Sequence, residues 1–141
     1  MQAELEKYAQ FVEETLRPQL AAALARRDAL NEQIQEYENL VEMVQDKAAR
    51  DAAEKPWKLQ ADLGKQNFVK VKVPAHTLVV VHVGLQVFME MTAAEVPGFV
   101  AKRVQALQAH RETQQTKARE IAGHIQQVLD SIEHLAKLQH L

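Results

Sequence analysis

The chain has 141 residues, which is enough for one domain, and its 47% apolar content contrasts with an aromatic content of only 5%. Ala, Glu, Gln, Leu, Lys and Arg are abundant and only four Gly and four Pro occur, which favours long helices. The absence of cysteine excludes disulfides and thiolate metal sites in this chain. A net charge of −2 provides no general attraction to nucleic acid or to anionic membranes.

Neither the first residues nor the apolar runs resemble a targeting or membrane segment. The chain starts with the polar, acidic sequence Met1-Gln2-Ala3-Glu4, unlike a signal peptide. Its longest apolar run, residues 78–89, is too short to span a bilayer and contains His82 and Gln86. We therefore expect a soluble chain that does not interact with membranes.

Residues 1–55 have the apolar spacing of a helix that pairs with another helix. From Leu30 the spacing alternates between four and three residues until Pro56, which has no N–H group to continue the helix. Upstream, a similar apolar stripe runs from Leu5 to Ala23, but a stutter shifts its heptad register relative to the stripe that begins at Leu30. Pro18 lies in this stretch, and we expect it to kink the helix near Thr15 or Leu16 or to divide it in two.

Residues 56–91 have a different period and predict two β-hairpins. Residues 68–73 alternate apolar and charged side chains, as a half-buried strand does. Residues 77–83 are β-branched almost throughout, which predicts a strand covered on both faces. Residues 57–63 and 86–91 are their candidate partners, and the turns fall at residues 62–66, 74–76 and 84–85.

Residues 92–141 predict a second long helix. Thr92-Ala93-Ala94-Glu95 has the pattern of a capping box, and a heptad repeat then runs from Val100 to the end. Arg111 and Gln114 place polar groups midway along the repeat, where such groups usually fix the register of paired helices. Two helices of matched length, joined by a short β segment, predict a single α+β, mainly α domain over residues 1–141 whose helices form an antiparallel coiled coil.

The layout of helix, two hairpins and helix resembles the α class of the prefoldin chaperone family. The individual motifs that resemble a prefoldin-like α subunit cover nearly the whole chain. They are Tyr8-x-x-Phe11-Val12 with Leu16, Leu20, Leu24 and Arg27-Asp28; Gln60-Ala61-Asp62-Leu63-Gly64 followed by Asn67-Phe68-Val69 and Val73-Pro74; and Val87-Phe88-Met89-Glu90-Met91-Thr92 with Ala94-Glu95 and Phe99.

This resemblance implies a subunit of a hetero-hexameric co-chaperone. Its β segments would assemble with those of other prefoldin or prefoldin-like subunits, and its coiled coil would hold unfolded or client proteins. Members of this branch join AAA+ ATPase co-chaperone machinery and take part in nuclear transcription, so the resemblance implies a cytoplasmic protein that also enters the nucleus.

Two sets of apolar residues are the candidate functional sites. Four short strands with little helix over them leave apolar surface and unpaired edges, so we expect the hairpins to pack against sister subunits. That assembly set is Val69, Val71, Val73, Val79, Val81, Val83 and Phe88. The second set lies where the two helix ends meet, and either binds clients or simply closes the coiled coil. It comprises Leu5, Tyr8, Phe11, Val12, Leu135, Leu138 and Leu141.

The sequence contains no pattern for catalysis, a cofactor or a metal. The six histidines form neither an H-E-x-x-H motif nor an i, i+4 pair on a helix. Asp62, before Leu-Gly, fits a turn better than an acid–base pair with Glu90. Lys70 and Lys72 face solvent, either to protect a sheet edge or to meet a partner. We therefore expect neither enzymatic activity nor direct nucleic-acid binding.

Two alternative functions are compatible with the same residues. One is an α subunit of ordinary prefoldin, which delivers actin and tubulin to the chaperonin. The other is a structural coiled-coil adaptor, for example in a transcription complex. The first differs from a prefoldin-like subunit in its partners, and the second in forming a dimer or trimer instead of a hexamer.

Overall fold

A computed structural model describes residues 2–140 and shows helices at both ends with two β-hairpins between them. The elements in chain order are α1 (Gln2–Phe11), a π-helix (Val12–Leu16), α2 (Arg17–Ala52), β1 (Trp57–Asp62), β2 (Phe68–Val73), β3 (Val79–Gly84), β4 (Val87–Met91) and α3 (Val96–Gln139). This order confirms the predicted mainly helical α+β fold with two hairpins.

The chain forms two compact units. The residues up to Ile34, together with those from Ala106 onward, make a helical unit, and Gln35–Gln105 makes a unit that contains both hairpins. Within residues 2–140, no helix is long and apolar enough to cross a membrane.

The π-helix lies where Pro18 and the stutter predicted a disturbance. One wider turn forms here, in which the Arg17 N–H donates to the carbonyl oxygen of Val12, five residues earlier. The wider turn accommodates the extra residue, so that Val12 and Leu16 both remain buried against Ile125 of α3. Pro18 itself is exposed, and α2 continues through it.

A polar layer interrupts the apolar seam of the helical unit. An Nη atom of Arg27 donates to Oε1 of Gln115 at 3.0 Å, and an Nη atom of Arg111 donates to Oδ1 of Asn31 at 3.2 Å. Oε1 of Gln114 is buried without a hydrogen-bond partner among the described residues. These groups lie at the midpoint of the repeat, as predicted for Arg111 and Gln114, and two such pairings favour one register over its neighbours.

The hairpin-containing unit has its own core, built from the end of α2, the start of α3 and one face of the second hairpin. Its fully buried side chains come from all three elements and are Val44, Val81, Met91, Ala93, Val96 and Val100. Since each buried Val or Met contributes about 1.5–3 kcal/mol of hydrophobic stabilisation, this cluster fixes the second hairpin against the helices.

The four strands form two separate two-stranded antiparallel sheets. β1 pairs with β2 from Trp57↔Val73 to Asp62↔Phe68, and β3 pairs with β4 from Val79↔Met91 to Gly84↔Val87. A β-bulge interrupts the second register between His82 and Gly84. Each strand therefore has one edge that is not paired with another strand among the described residues.

The helices adjoining the hairpins are shorter than predicted. α2 ends at Ala52, three residues before the predicted end, and Glu54 adopts a left-handed φ of 54°. α3 begins at Val96, four residues after the predicted start, because Thr92 and Glu95 close a turn first. The Thr92 N–H donates to Oε2 of Glu95 at 3.2 Å and the Glu95 N–H donates to Oγ1 of Thr92 at 3.3 Å, which is the predicted capping box.

The prediction that both faces of β3 are covered is wrong for the single chain. Val81 is buried, with 2% of its surface exposed, but its neighbour Val80 is 60% exposed and His82 is also exposed. The cause is the position of the helices, which contact only one face of the hairpin. The β-branched run therefore reflects a strand with an inner and an outer apolar face, the outer one open.

Candidate functional site

The outer face of the β3–β4 hairpin exposes two apolar side chains beside His82 and Glu90. Val80 and Phe88 lie on it, with 60% and 65% of their surfaces exposed. The rings of His82 and Phe88, which are cross-strand partners, lie 5.1 Å apart at an angle of 50°. Exposure of apolar side chains to water is unfavourable, so a complex in which a partner covers them would be stabilised.

The seven predicted assembly residues occupy three different environments. Val69, Val71 and Val73 lie on one face of β2 and alternate with lysines. In contrast, the odd-numbered valines of β3 pack into the core of the hairpin-containing unit: Val81 is buried in it, and Val79 and Val83 are packed against it. Phe88 is the one member of the set that lies on the outer face of the second hairpin.

The first hairpin also has an apolar face. The cross-strand pairs Trp57↔Val73, Leu59↔Val71 and Ala61↔Val69 place six apolar side chains on the same side of the two strands. The β1 members are half-buried, whereas Val69 and Val71 are exposed. This face is thus covered only in part by the chain itself.

Several exposed apolar residues of the hairpin region were missing from the predicted set. They are Leu63, Phe68, Leu78, Val80, Leu85, Val87 and Met89. Leu85 is 98% exposed, in a turn where it and Gln86 both have positive φ angles, 50° and 60°. For Val80 the available signal was the strand period of two, since the odd-numbered valines of β3 face the core and its even positions therefore point outward.

Tyr37 and Arg103 connect the second hairpin to the helices. The Tyr37 hydroxyl donates to the carbonyl oxygen of His82 at 2.9 Å, and its ring meets that of Phe99 edge-on at a centroid distance of 6.3 Å. The Arg103 guanidinium lies close to Gly84, where a Cβ atom would be 3.4 Å from its Nη2 atom. Because Gly84 has a φ of 113°, which side chains disfavour, glycine is favoured at this position.

Lys47 and Asp51 connect α2 to the loop between the hairpins. Nζ of Lys47 donates to Oδ2 of Asp51 at 2.7 Å, and the backbone N–H of His76 donates to Oδ1 at 2.9 Å. The Lys47 side chain is 2% exposed and that of Asp51 14%. The hydrogen bond from Lys47, followed by that from His76, lowers the pKa of Asp51, despite the opposing effect of burial.

The predicted client-contact residues lie along α1, at the first residue of the π-helix and at the end of α3, within the helical unit. Tyr8, Phe11 and Leu138 are about half exposed, Leu5 and Leu135 are half-buried, and Val12 is buried; Leu141 is outside the described residues. Phe11 and Leu138 are therefore not needed to close the core of the helical unit. An apolar surface is therefore available here, although Val12 belongs to the core beneath it.

The polar residues that were considered as catalytic or metal-binding candidates lie in a turn or on exposed helix surface. Oδ1 of Asp62 accepts the Gly64 N–H at 2.7 Å, which is the predicted turn. His110, His124, His134 and His140 are exposed on α3 or just after it. Within residues 2–140, no group of three or more His, Asp or Glu side chains is arranged to hold a metal ion.

Comparison with known families and proteins agrees with this geometry. The family model described as "Prefoldin subunit" matches residues 16–138. "Protein UXT homolog" of Nematostella vectensis is 27% identical over 141 residues, covering 100% of this chain and 89% of that protein. "Protein UXT" of Homo sapiens and of Bos taurus are each 28% identical over 137 residues, covering 95% of this chain and 84% and 85% of those proteins.

Solved structures also match this chain. One of them is the cryo-EM structure of filamentous PFD from Methanocaldococcus jannaschii, with 18% sequence identity and a TM-score of 0.48. The match covers 82% of this chain and 98% of that chain.

Proposed function

The chain belongs to the prefoldin subunit family, and we propose that it is a non-catalytic subunit of a prefoldin-like hetero-hexameric co-chaperone. In this proposal residues 1–141 act as one prefoldin-like domain. The hairpins assemble with those of sister subunits, and the apolar helix ends contact unfolded or client proteins. The similarity to UXT proteins favours a prefoldin-like complex over ordinary prefoldin.

The observation that carries the proposal is the outer face of the β3–β4 hairpin. Two-stranded sheets are marginally stable in isolation, and here each hairpin also has free edges and exposed apolar side chains. Strands from sister subunits would pair with those edges and cover Val80 and Phe88 at the same time. Completion of a shared sheet by sister subunits thus accounts for both the unpaired strand edges and the exposed apolar side chains.

Native mass spectrometry tests the assembly. The full chain, mixed with candidate sister subunits of the prefoldin family, is expected to give a heteromeric complex of six chains. A dimer or trimer of this chain that ignores the sister subunits would contradict the proposal and favour a coiled-coil adaptor. Co-purification separates the remaining possibilities: AAA+ co-chaperone partners support a prefoldin-like complex in the cytoplasm and nucleus, and chaperonin supports ordinary prefoldin.

The exposed residues at the helix ends predict a separable effect on client binding. Replacing Phe11 and Leu138 with Ser removes two side chains that are 47% and 48% exposed, so the fold and the assembly should be retained. We expect the variant to suppress aggregation of a denatured protein, such as citrate synthase, at least about threefold less effectively, because apolar contact area is lost. Light scattering during dilution from denaturant measures this.

An exposed leucine on α3, the helix that carries Leu138, provides the matched control. Leu129 is 37% exposed on α3, outside the predicted client-contact set. A Leu129→Ser variant should suppress aggregation as well as the unmodified chain does. Equal loss of suppression in both variants, or loss of assembly in the Phe11 and Leu138 variant, would instead assign these residues to closure of the coiled coil.

A further inference from the structure

The two faces of the first hairpin differ sharply in charge. Opposite its apolar face, the pairs Lys58↔Lys72 and Gln60↔Lys70 place three lysines on one side of two strands. All four side chains are exposed. We call these four residues the lysine face.

The lysine face is only partly compensated by negative charge. None of the ion pairs within residues 2–140 includes Lys58, Lys70 or Lys72. The one carboxylate on this side of β1 and β2 is that of Asp62, which accepts the Gly64 N–H, so the three lysines outnumber it. Positive charge is therefore concentrated on this face of a chain whose net charge is −2.

The direct pairing of Lys58 with Lys72 is unfavourable for the hairpin. Like charges directly opposite each other on adjacent strands repel and destabilise the pairing. Protection of an edge strand requires charged side chains, but it does not require two of the same sign to face each other. A bound anionic group between them would turn this repulsion into two attractive interactions.

The surface has the form of a shallow hollow. A cavity of about 340 Å³ is lined by Leu59 and Val71 together with all four residues of the lysine face. Lys70 and Lys72 lie two residues apart on one strand, a separation of roughly 7 Å along the strand. An extended peptide has the same spacing between every second side chain, so alternate acidic residues would match the two lysines.

We propose that the lysine face is the docking surface for an extended acidic peptide segment of a partner protein, with Asp or Glu at every second position. Nucleic acid fits less well, because Phe68, the one aromatic residue on this side of the hairpin, is paired with the anionic Asp62. A membrane surface would need a wider basic area than three lysines on two strands. The proposal depends on the first hairpin alone and holds whichever complex the chain joins.

Fluorescence anisotropy tests the proposal with the full chain in low salt. The probe is a fluorescein-labelled twelve-residue peptide of alternating Glu and Thr, and the neutral control peptide has Gln in place of Glu. We expect the acidic peptide to bind more tightly than the neutral one, and its binding to weaken as salt is added. Replacing Lys58, Lys70 and Lys72 with Gln should weaken it about tenfold or more, since three exposed ionic contacts are lost.

A charge-matched variant controls for the change in net charge. Lys7, Lys102 and Lys117 are exposed lysines on the helices, and their replacement with Gln should change acidic-peptide binding by less than about twofold. The lysine-face variant should also unfold in urea at the same or a higher midpoint, because removal of the Lys58–Lys72 repulsion does not harm the hairpin. This measurement separates loss of binding from loss of structure.

Three results would overturn the proposal. The first is equal binding of the acidic and neutral peptides, and the second is equal weakening by the helix-lysine variant. The third is that a fluorescein-labelled 20-base-pair DNA duplex or phosphatidylserine vesicles bind more tightly than the acidic peptide and that the lysine-face variant loses this binding. That result would assign the face to a different occupant.

Discussion

Replacing Asp51 with Ala is expected to lower the free energy of unfolding by about 3 kcal/mol, because it leaves the buried Lys47 ammonium without its counter-charge. Lys47 is almost fully enclosed, with 2% of its side chain exposed, and its Nζ lies 2.7 Å from Oδ2 of Asp51. The variant also removes the acceptor for the His76 N–H. Urea unfolding, followed by circular dichroism on the full chain, measures the loss.

A second substitution distinguishes the buried charge from general loss of packing. Lys47→Met keeps most of the length of the side chain and removes the ammonium group. An apolar residue in place of a buried ion-pair member is often tolerated, so the Lys47→Met, Asp51→Ala double variant should be more stable than Asp51→Ala alone. A double variant no more stable than the single one would show that the buried charge is not the cause.

The same pair gives a pH dependence whose direction follows from the pKa of Asp51. The hydrogen bond from Lys47 lowers this pKa below its ordinary value of 3.8 in the folded state. The stabilisation is therefore fully present above pH 3.8 and is lost as the pH falls through the lower, folded-state pKa. Between pH 7 and pH 5, the difference in unfolding free energy between the unmodified chain and Asp51→Asn should stay constant; below pH 3.8 it should shrink.

The periodic parts of the fold were predictable from sequence because a repeated pattern determines both the element and its buried face. Residues 68–73 were predicted as a strand and form β2, Phe68–Val73. The predicted heptad repeat from Val100 onward forms α3, and Val100, Leu107 and Ile125 of this repeat are buried. The capping box and the Asp62 turn were also predictable, since each depends on residues within three positions of one another.

The features that were not predictable depend on contacts distant in sequence. Lysine is a residue type usually exposed on a helix, yet Lys47 is buried; its partner Asp51 is only four residues away, but the hydrogen bond from His76 that completes the group comes from a distant part of the chain. Similarly, the β-branched run of β3 does not indicate that one face meets helices and the other does not. The sequence located a disturbance near Pro18, but it did not show that the disturbance takes the form of a π-helix whose Val12 and Leu16 pack with Ile125 of α3.

The candidate assembly set was predicted by residue type, and the structure separates its members by environment. Val81 belongs to the core of the hairpin-containing unit, whereas Phe88 projects from the opposite face of the same hairpin. A valine-rich strand of period two contains both kinds of residue, and hydrophobicity alone does not tell them apart. Assembly itself stays a prediction, and the two environments provide a direct way to test it.

Phe88→Ser and Val81→Ala are expected to have opposite effects on assembly and stability. Phe88 is 65% exposed, so its loss should change the unfolding free energy of the isolated chain by no more than about 0.5 kcal/mol. The same substitution should strongly reduce heteromeric assembly, since it removes an aromatic side chain from the proposed interface. Val81→Ala should lower the unfolding free energy by about 1–3 kcal/mol through loss of buried methyl groups, while the outer face remains intact.

Native mass spectrometry with sister subunits and urea unfolding of the isolated chain together separate these effects. Met43→Ser is the matched control, because Met43 is 51% exposed on α2 and belongs to neither hairpin, so its loss should affect neither measurement. If Phe88→Ser assembles as well as Met43→Ser, the outer face of the β3–β4 hairpin is not the subunit interface. The exposed apolar side chains of that face would then need a different partner, since their exposure in water remains unfavourable whichever complex the chain joins.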